Sequence, residues 1–421
     1  MTVVKTTALA PDTEARPVRA LVFSSTFPSK VQPIHGVFVK ERIRHVAALP
    51  DCQVEVVSPV PYFPPLRMFQ RWYPLSQYGR IEVIDGMTVH RPRYFLLPKF
   101  GKYFHARSMA RSARATLRAI QEQADFDLID AHFVYPDGAA AMYLARQCGK
   151  PLVITGRGED VLTSSKDPAL RDEICEALRS ANQLIAVSDE IAEAMARLGA
   201  DEKKIAVVPN GVDTERFGGL DRNASRRALN LPQDRRIIIS VGYLLERKGY
   251  HLLVDALAEL RKQNPDLLLL IVGGVARWGQ DYTAQIRARI AAHGLEDHVR
   301  MTGALPPEEL PQWYAAADLF ALLTSREGCP NALLEALASG LPAVATPIGQ
   351  IPAVLADRDL GIVLPDRSAA SAVHGIETAL RRDWDRLLIR RRMERRSWRA
   401  TARQVGDVFT RVVRNAPSSR S

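Results

Sequence analysis

The sequence predicts an α/β protein with two domains, each built on a parallel sheet that helices cover on both faces. Three observations lead to this fold class. The chain has 421 residues, whereas one hydrophobic core stops growing at about 250–300 residues. Short runs rich in Val and Ile alternate with longer helix-like stretches, as crossover connections between parallel strands require. Pro209, Asn210 and Gly211 form a turn signal that divides these runs into two sets.

The first set of runs predicts the sheet of an N-terminal domain. The candidate strands are residues 18–24, 54–58, 87–90, 128–131, 152–155, 184–187 and 205–208. Helical stretches at 38–49, 138–147 and 189–198 lie between some of them. Each run has the length and composition of a buried strand. We therefore expect a Rossmann-like domain over residues 18–213, preceded by a disordered segment at 1–17.

The second set predicts another Rossmann-like domain over residues 214–381. Its candidate strands are residues 237–241, 267–272, 299–301, 319–322, 343–345 and 361–364, with helices at 250–263, 282–293, 307–316 and 332–339. Open α/β sheets bind ligands outside the carboxyl ends of their strands. We therefore expect the two sheets to face a cleft, with the informative motifs at strand ends.

Composition excludes several classes of protein. A chain with 47% hydrophobic and 25% charged residues is not disordered, collagen-like or of low complexity. Its four cysteines have no CxxC spacing, so they predict neither a disulfide framework nor a zinc site. No apolar run approaches the ~20 residues of a spanning helix, and the first 19 residues lack the apolar centre of a signal peptide. We expect a cytoplasmic protein without a transmembrane anchor.

The net charge of +10 is concentrated in two segments. Residues 381–421 carry +9, residues 91–120 carry +8, and the rest of the chain carries −7. Part of the second segment forms a basic stripe on one predicted helix, made of Arg107, Arg111, Arg114 and Arg118. Such a helix is typical of binding to an anionic membrane surface, which would make the protein peripheral on the inner face of the membrane. A solvated helix face is the alternative.

The most informative segment is residues 325–342, which reads SREGCPNALLEALASGLP. Glu327 follows the strand at 319–322, and Glu335 lies about one turn inside the next helix. Free N–H groups in the first turn of that helix favour a phosphate; they belong to Asn331, Ala332 and Leu333. The two carboxylates can accept hydrogen bonds from the hydroxyls of a sugar and a ribose. A solvated helix with a glutamate near its N-terminus is the alternative.

This segment, with residues 345–349 behind it, resembles the hallmark of the retaining glycosyltransferases of family 4, which have the GT-B fold. Three more parts are similar to that family: residues 208–217 to its interdomain signature, 241–249 to its phosphate-binding turn, and 130–138 with 155–160 to its acceptor-side strands. The resemblance covers residues 18–380 and looks closest to enzymes of teichuronic-acid and exopolysaccharide synthesis. It implies retaining transfer from a nucleotide sugar, UDP-linked, to a saccharide or lipid-linked acceptor in cell-surface polysaccharide synthesis.

On the donor side, the resemblance implies that Glu327 contacts the sugar hydroxyls and Glu335 the ribose. Lys248, with Arg247 beside it, would hold the diphosphate, because positive charge there stabilises the leaving group as the glycosidic bond breaks. A solvated loop lysine is the alternative for Lys248. Tyr243 stands where the family often has an arginine.

Two glycines belong to the same donor set. Gly328 is part of the hallmark segment, and Gly36 follows the first strand, where a glycine allows the backbone to approach a ligand closely. The loop before Gly36 is longer and less glycine-rich than in the family. An ordinary turn glycine is the alternative at this position.

On the acceptor side, the resemblance points to His132, Arg157 and Asp160. Arg157 stands where the family commonly has a histidine, and because it stays protonated it would bind an anionic group and not act as a base. Asp160 would orient an acceptor hydroxyl, and a salt bridge between these neighbours is the alternative. His132 would contact the acceptor, with a packed structural histidine as the alternative.

The resemblance implies no metal and no cofactor, and front-face transfer in which a phosphate oxygen of the leaving group takes the acceptor's proton. It also implies that the basic tail, residues 382–421, crosses back to the first domain, which would bring both basic segments to one end of the molecule. A GT-B scaffold or a nucleic-acid-binding protein without transferase activity is an alternative. The sequence shows neither the aromatic platforms nor the recognition helix of a nucleic-acid module, so we expect no nucleic-acid partner. A GT-B phosphorylase and a nucleotide-sugar epimerase are further alternatives.

Overall fold

The computed structural model describes residues 16–69, 72–96, 103–276 and 281–416. The segment expected to be disordered, 1–17, lies outside them apart from its last two residues, as do Lys99 and Lys102 of the basic segment. No helix of the described part is long and apolar enough to cross a membrane. Location in the cytoplasm stays a prediction.

The first sheet contains eight strands within the described residues, in the order β10-β9-β8-β7-β1-β2-β5-β4. A separate pair, β3 and β6, lies beside it. The strands of this half are β1 Val18–Phe23, β2 Cys52–Val57, β3 Val60–Pro61, β4 Ile81–Ile84, β5 Met87–His90, β6 Arg93–Tyr94, β7 Leu128–His132, β8 Leu152–Gly156, β9 Gln183–Ala186 and β10 Ile205–Val207. Its helices are α1 Val37–Ala47, α2 Tyr73–Ser76, α3 His105–Gln123, α4 Ala139–Cys148, α5 Glu159–Leu162, α6 Pro168–Ser180 and α7 Asp189–Arg197.

The second sheet is parallel throughout, with the order β13-β12-β11-β14-β15-β16 over the described range. Its strands are β11 Arg236–Val241, β12 Leu267–Val272, β13 Val299–Gly303, β14 Leu319–Leu322, β15 Ala343–Ala345 and β16 Gly361–Val363. The helices of this half are α8 Thr214–Phe217, α9 Arg222–Ala228, α10 Tyr250–Leu260, α11 Thr283–Ala292, α12 Leu310–Ala316, α13 Asn331–Ala338, α14 Ile351–Val354, α15 Ala369–Arg381 and α16 Arg386–Met393, and the last helix of the chain is α17 Trp398–Asn415. Both parallel sheets were predicted, and the α/β fold class is confirmed.

One strand runs against the others. β4 is antiparallel to β5, and Asp85 and Gly86 at the turn both have positive φ, at 49° and 80°. Asp-Gly is the dipeptide that favours this two-residue hairpin. β4 is not among the predicted strands, although the Asp-Gly turn signals it. Ile81 and Val83 point to solvent, so the strand is not buried on both faces and lacks a fully apolar run.

The C-terminal tail is divided between the two halves. α16 packs against α13, whereas α17 packs against α1 and buries Ala402, Val405 and Phe409 on the first sheet. The return to the first half therefore begins at Trp398, later than the expected boundary at residue 382. Val212 and Ser397 form a β-bridge at the place where the chain passes from the first half to the second and later returns.

One helix from each basic segment, α3 and α17, packs on the first sheet, and the two lie on opposite faces. α3 packs on the face formed by Leu21, Phe23 and Ile129, and α17 packs on the face formed by Ala20 and Leu128. Successive residues of a strand point to opposite faces, so the two helices are separated by the thickness of the sheet. α17 therefore returns to the half that contains α3, as expected, but a flat surface cannot contact both helices at once.

Candidate active site

A cavity of about 390 Å³ separates the carboxyl ends of the two sheets. From the first half it is lined by Phe38, Phe133, Arg157, Gly158 and Glu159. From the second half the residues include Gly242, Tyr243, Arg247, Lys248, Glu327, Gly328, Asn331 and Ala332. The predicted cleft is therefore present, and most of the residues predicted for it line one space.

Glu327 is the anionic centre of the cleft. Its Oε1 accepts hydrogen bonds from Lys248 Nζ at 2.5 Å, Thr324 Oγ1 at 3.1 Å and Arg247 Nη1 at 3.3 Å. Burial pushes the pKa of Glu327 up, but the two cations outweigh burial and the pKa lies below its ordinary value. The carboxylate therefore stays ionised and keeps both cations at the cavity wall.

Two glycines place Lys248 at this position. The residues 246–248 form a single 3-10 turn, and Gly249 ends it with φ at 75° before α10 begins. A Cβ on Gly249 would lie 2.1 Å from the carbonyl oxygen of Leu323, so the turn and β14 approach too closely for any other residue. Gly242 has φ at 151° and packs against the Lys248 side chain. The glycines of the sequence motif thus serve the position of the lysine.

The first turn of α13 faces the same cavity. No hydrogen bond from the N–H groups of Asn331 and Ala332 occurs within the described part of the chain, and both residues line the cavity. Leu333 differs, because its N–H donates to the carbonyl oxygen of Pro330 at 3.1 Å and its side chain is buried in the core. The prediction of a free N–H group at Leu333 is therefore wrong, and the turn offers an anion two donors.

Glu335 lies in a neighbouring cavity of about 270 Å³ that Gly36, Tyr243 and Asn331 also line. Its Oε2 accepts a hydrogen bond from Tyr314 Oη at 2.9 Å. Burial raises the pKa of Glu335, and the Tyr314 hydroxyl and Arg216 oppose that rise. Asn331, Tyr243 and Phe38 line both cavities, so Glu327 and Glu335 open into adjoining spaces.

Gly36 adopts a left-handed conformation at the start of α1, with φ at 76°. A Cβ there would lie 2.4 Å from the carbonyl oxygen of Thr26. The glycine is therefore required by the fold of its own loop. Its place on the wall of the Glu335 cavity is compatible with the donor role, which stays a prediction.

His132 is fully buried and reaches the cleft only through Arg157. Arg157 Nη2 lies 2.6 Å from His132 Nδ1, and His132 Nε2 lies 2.9 Å from Asp130 Oδ2. Because a guanidinium can only donate, Nδ1 accepts and Nε2 carries the proton that it donates to Asp130. Burial is the main reason that the pKa of His132 falls to about 4. A neutral, enclosed imidazole orients Arg157 and has no direct path to an acceptor.

Asp160 is also enclosed, and its carboxylate binds backbone. Oδ2 accepts from the N–H of Val134 at 2.7 Å, and Oδ1 accepts from the N–H groups of Gly158 at 2.8 Å and Arg157 at 3.1 Å. These bonds join the end of β7 to the turn after β8. In this arrangement Asp160 shapes the cleft wall, and no salt bridge between it and the Arg157 side chain is found within the described range.

Sequence reasoning missed Asn210 and Arg42. Asn210 Oδ1 accepts from Arg157 Nη1 at 3.2 Å and Arg42 Nη2 at 3.3 Å, and its Nδ2 donates to Asn331 Oδ1 at 2.9 Å. The sequence places Asn210 in a turn and in the segment similar to the interdomain signature, and the structure shows that it joins Arg157 to the first residue of α13. Arg42 carried a signal, because it falls on the apolar face of α1 with Val39, Ile43 and Val46.

The two halves meet through glycine at one point. A Cβ on Gly328 would lie 2.1 Å from the carbonyl oxygen of Arg157, and Gly158 faces the backbone of Gly328 in return. Glu159 adds ion pairs across the cleft, at 3.5 Å to Arg247 and 4.0 Å to Arg326. Gly328 therefore permits close approach of the two halves. The sequence instead predicts that it belongs to the donor site, and that role stays a prediction.

Comparison with known proteins supplies the family. Residues 36–216 match the family described as Glycosyltransferase Family 4, and residues 221–404 match the family described as Glycosyl transferases group 1. A D-inositol 3-phosphate glycosyltransferase of Corynebacterium urealyticum is 30% identical over 308 residues, which cover 69% of this chain and 72% of that relative. The chain belongs to glycosyltransferase family 4.

Another relative of this family 4 glycosyltransferase comes from Bacillus subtilis. TuaC, which is named for teichuronic acid biosynthesis, is 28% identical over 361 residues, with 84% of this chain and 87% of the relative covered. The family predicted from the sequence is thus confirmed.

Solved structures show the same fold. The sucrose-phosphate synthase of Thermosynechococcus elongatus superposes with a TM-score of 0.73 at 19% identity, over 94% of this chain and 99% of that one. HepE of Anabaena, solved in complex with UDP-glucose, superposes with a TM-score of 0.70 at 19% identity, over 93% and 99% of the two chains. The family 4 chain has the predicted GT-B fold.

The loop that carries Gly36 is anchored by a carboxyl group that titrates near neutrality. Asp137 is buried and accepts from the N–H and the hydroxyl of Ser25. Burial raises its pKa to about 7 from an ordinary 3.8, although the bonds from Ser25 oppose the rise. Between about pH 4 and pH 7 the folded glycosyltransferase therefore keeps a proton on Asp137 that the unfolded chain has already lost.

We expect this proton to make the free energy of unfolding fall as the pH rises through that window, by at most about 1.4 kcal/mol per pH unit. Asp137→Asn cannot ionise, so the variant should lose less stability between pH 4.5 and pH 8. Urea denaturation of both proteins at several pH values measures the difference. Parallel stability curves for the two proteins would contradict the raised pKa.

Proposed function

We propose that this family 4 glycosyltransferase is a retaining, metal-independent hexosyltransferase. It takes a sugar from a nucleotide sugar, UDP-linked, to a saccharide or lipid-linked acceptor in the synthesis of a cell-surface polysaccharide. The observation that carries the proposal is the cluster of Lys248, Arg247 and Glu327 beside the first turn of α13, facing the cleft between the halves.

The cluster has the charges that a diphosphate leaving group needs. Lys248 and Arg247 bring two positive charges to the cavity, and the N–H groups of Asn331 and Ala332 point a helix N-terminus at it. Positive charge placed where negative charge develops stabilises the transition state. Because these groups supply that charge from the chain itself, the proposed reaction needs no metal ion.

The carboxylates of Glu327 and Glu335 would bind the sugar and the ribose of the donor. Glu327 is ionised and can accept hydrogen bonds from sugar hydroxyls, while Glu335 in the adjoining cavity can accept them from a ribose. On the acceptor side, the imidazole of His132 is enclosed and the carboxylate of Asp160 is bound to backbone. Neither side chain is therefore placed to take a proton from the acceptor. This supports front-face transfer, in which a phosphate oxygen of the leaving group takes that proton.

The likenesses support the finer parts of the proposal. HepE, which has the same fold, was solved with UDP-glucose, and this supports a UDP-linked donor. The name of TuaC supports a cell-surface polysaccharide as product. The arginines at positions 107, 111, 114 and 118 are all exposed on α3, and this supports peripheral binding to an anionic membrane where a lipid-linked acceptor would be found.

A nucleotide-sugar screen tests the donor. At a hundred times Kd a bound ligand stabilises a protein by about 2.7 kcal/mol, so UDP-glucose or another UDP-hexose should raise the melting temperature more than its GDP and ADP counterparts. Lys248→Ala should reduce the shift, because one of the cations that hold the diphosphate is removed. The anomeric configuration of the product, read by NMR after transfer, tests retention. A chain that no nucleotide sugar stabilises would contradict the proposed function.

A further inference from the structure

One rim of the first half exposes large apolar side chains that its own core leaves uncovered. Met68 is 80% exposed, Phe95 63% and Phe104 61%. Within the described part of the chain, seven of the fifteen exposed large apolar residues lie here; this apolar rim consists of Tyr62, Leu66, Met68, Phe69, Phe95, Tyr103 and Phe104. Single exposed apolar residues are ordinary, but a contiguous group marks an interaction site.

The rim is built on an ordered base. β3 and β6 pair at Val60 with Arg93, and the ring of Phe63 packs 6.1 Å from Trp72. Ser108 Oγ donates to the carbonyl oxygen of Phe95 at 2.6 Å, which fastens β6 to α3. Val60, Leu75 and Tyr78 form a small buried cluster here, and Phe63 and Trp72 pack against it.

The rim lies at the same edge of the sheet as the active site. β3 follows the carboxyl end of β2, and β6 follows the carboxyl end of β5. β2 and β5 are parallel to β7, which ends at His132. Three strand spacings separate β5 from β7, a distance of roughly 14 Å. An object that docks on the rim therefore lies beside the mouth of the cleft.

The segments that carry the rim are basic. Their described residues, 56–69, 72–80, 91–96 and 103–120, contain eight Arg and no Asp or Glu, and one of these arginines, Arg91, is buried in an ion pair with Glu82. Arg107 and Arg111, in the first two turns of α3, are exposed. Arg107 also bonds to Tyr143 at 3.2 Å and lies 3.9 Å from Glu173, whereas no ion pair of Arg111 occurs among the described residues. Apolar side chains framed by basic ones complement an anionic lipid surface.

We propose that the apolar rim docks this protein on an anionic lipid leaflet. The proposal deepens the proposed function and rests on its lipid-linked acceptor. The aromatic side chains and Met68 enter the boundary between headgroups and acyl chains, and Arg111 contacts the headgroups. The cleft then opens beside the lipid surface, so a saccharide on a lipid carrier reaches Arg157 without leaving the leaflet. α17 takes no part, because it lies on the other face of the sheet.

Sedimentation with vesicles tests the surface on the full chain. We expect the protein to bind vesicles of phosphatidylglycerol and phosphatidylethanolamine at least tenfold more tightly than vesicles of phosphatidylcholine. Met68→Ser with Phe104→Ser should weaken binding to the anionic vesicles at least tenfold. Leu387→Ser removes a side chain that is 64% exposed on α16, and it should leave binding unchanged.

Three outcomes would overturn the proposal. They are equal binding of the wild-type protein to both vesicles, equal loss in the rim and Leu387 variants, and a rim that instead holds two copies of the chain together. Analytical ultracentrifugation detects the last case as a dimer that the rim variant converts to monomers. The rim variant should keep its stabilisation by a UDP-hexose, which shows that it is folded. Vesicle binding without stabilisation by any nucleotide sugar would reject the donor and support the docking surface.

Discussion

Replacement of Lys248 by alanine should lower kcat by about a hundredfold while the protein stays folded. The ammonium group lies at the cleft wall, 2.5 Å from Glu327. Negative charge would develop here on the diphosphate as it leaves the sugar. Removal of one hydrogen-bond donor that stabilises developing negative charge lowers kcat by a factor on the order of 10²–10³. The proposed role as leaving-group cation, and not as a solvated lysine, requires this loss. Initial rates of nucleoside diphosphate release at saturating donor measure it.

Lys262→Ala is the matched control for this variant. Lys262 is an exposed lysine of the same half that pairs with Glu259 at 2.6 Å, and exposed pairs contribute little to stability. The Lys262→Ala variant should keep the turnover of the wild-type protein. Near-normal turnover in Lys248→Ala, or a loss of equal size in the control, would contradict the assignment. Glu327→Ala should also lose more than tenfold, because Lys248 and Arg247 lose the carboxylate that positions them.

Asp160→Ala should be the most destabilising single change that we predict. The carboxylate accepts from three buried N–H groups, those of Val134, Arg157 and Gly158. A buried donor left without a partner costs roughly 1–3 kcal/mol, so the loss amounts to about 3 kcal/mol or more. For a domain of this size that corresponds to a fall in melting temperature of roughly 6–12 °C. Turnover should fall as well, since Arg157 lies on the turn that these bonds hold.

Two comparisons separate this structural role from direct contact with an acceptor. Asp160→Asn keeps one acceptor oxygen and should lie between the wild-type protein and Asp160→Ala in melting temperature. Glu193→Ala removes a carboxylate that is 70% exposed in the same half and should shift the melting temperature by less than about 1 °C. A normal melting temperature for Asp160→Ala, with lost turnover alone, would restore the role of orienting an acceptor hydroxyl.

Local pattern was sufficient for the fold because buried parallel strands are recognisable one at a time. The runs at 237–241 and 267–272 are uniformly apolar, and the structure pairs them side by side in register. The motif residues at strand ends, Glu327 and Lys248, came together for the same reason: parallel strands bring their carboxyl ends to one edge. Sequence reasoning could therefore place these side chains in one cleft without knowledge of any contact.

The contacts that the sequence did not predict share a different cause. The predicted free N–H group at Leu333 is wrong, because the carbonyl oxygen of Pro330 accepts it. Asp160 and His132 bind backbone N–H groups and Arg157, and their roles toward an acceptor stay predictions. Each polar group takes the nearest partner that the fold supplies, because an unsatisfied buried group costs free energy. Which partner is nearest depends on residues far apart in the chain.

By itself, the sequence determined the two parallel sheets, their order along the chain, the family, and the side chains of the cleft that lie at strand ends. These properties are local, since they follow from runs of a few residues and from the direction of parallel strands. The tertiary structure alone decided that Asn210 joins Arg157 to Asn331, and that the two basic helices lie on opposite faces of one sheet. It also decided that an apolar rim lies beside the cleft. These properties depend on packing between distant segments, for which one sequence carries no local pattern.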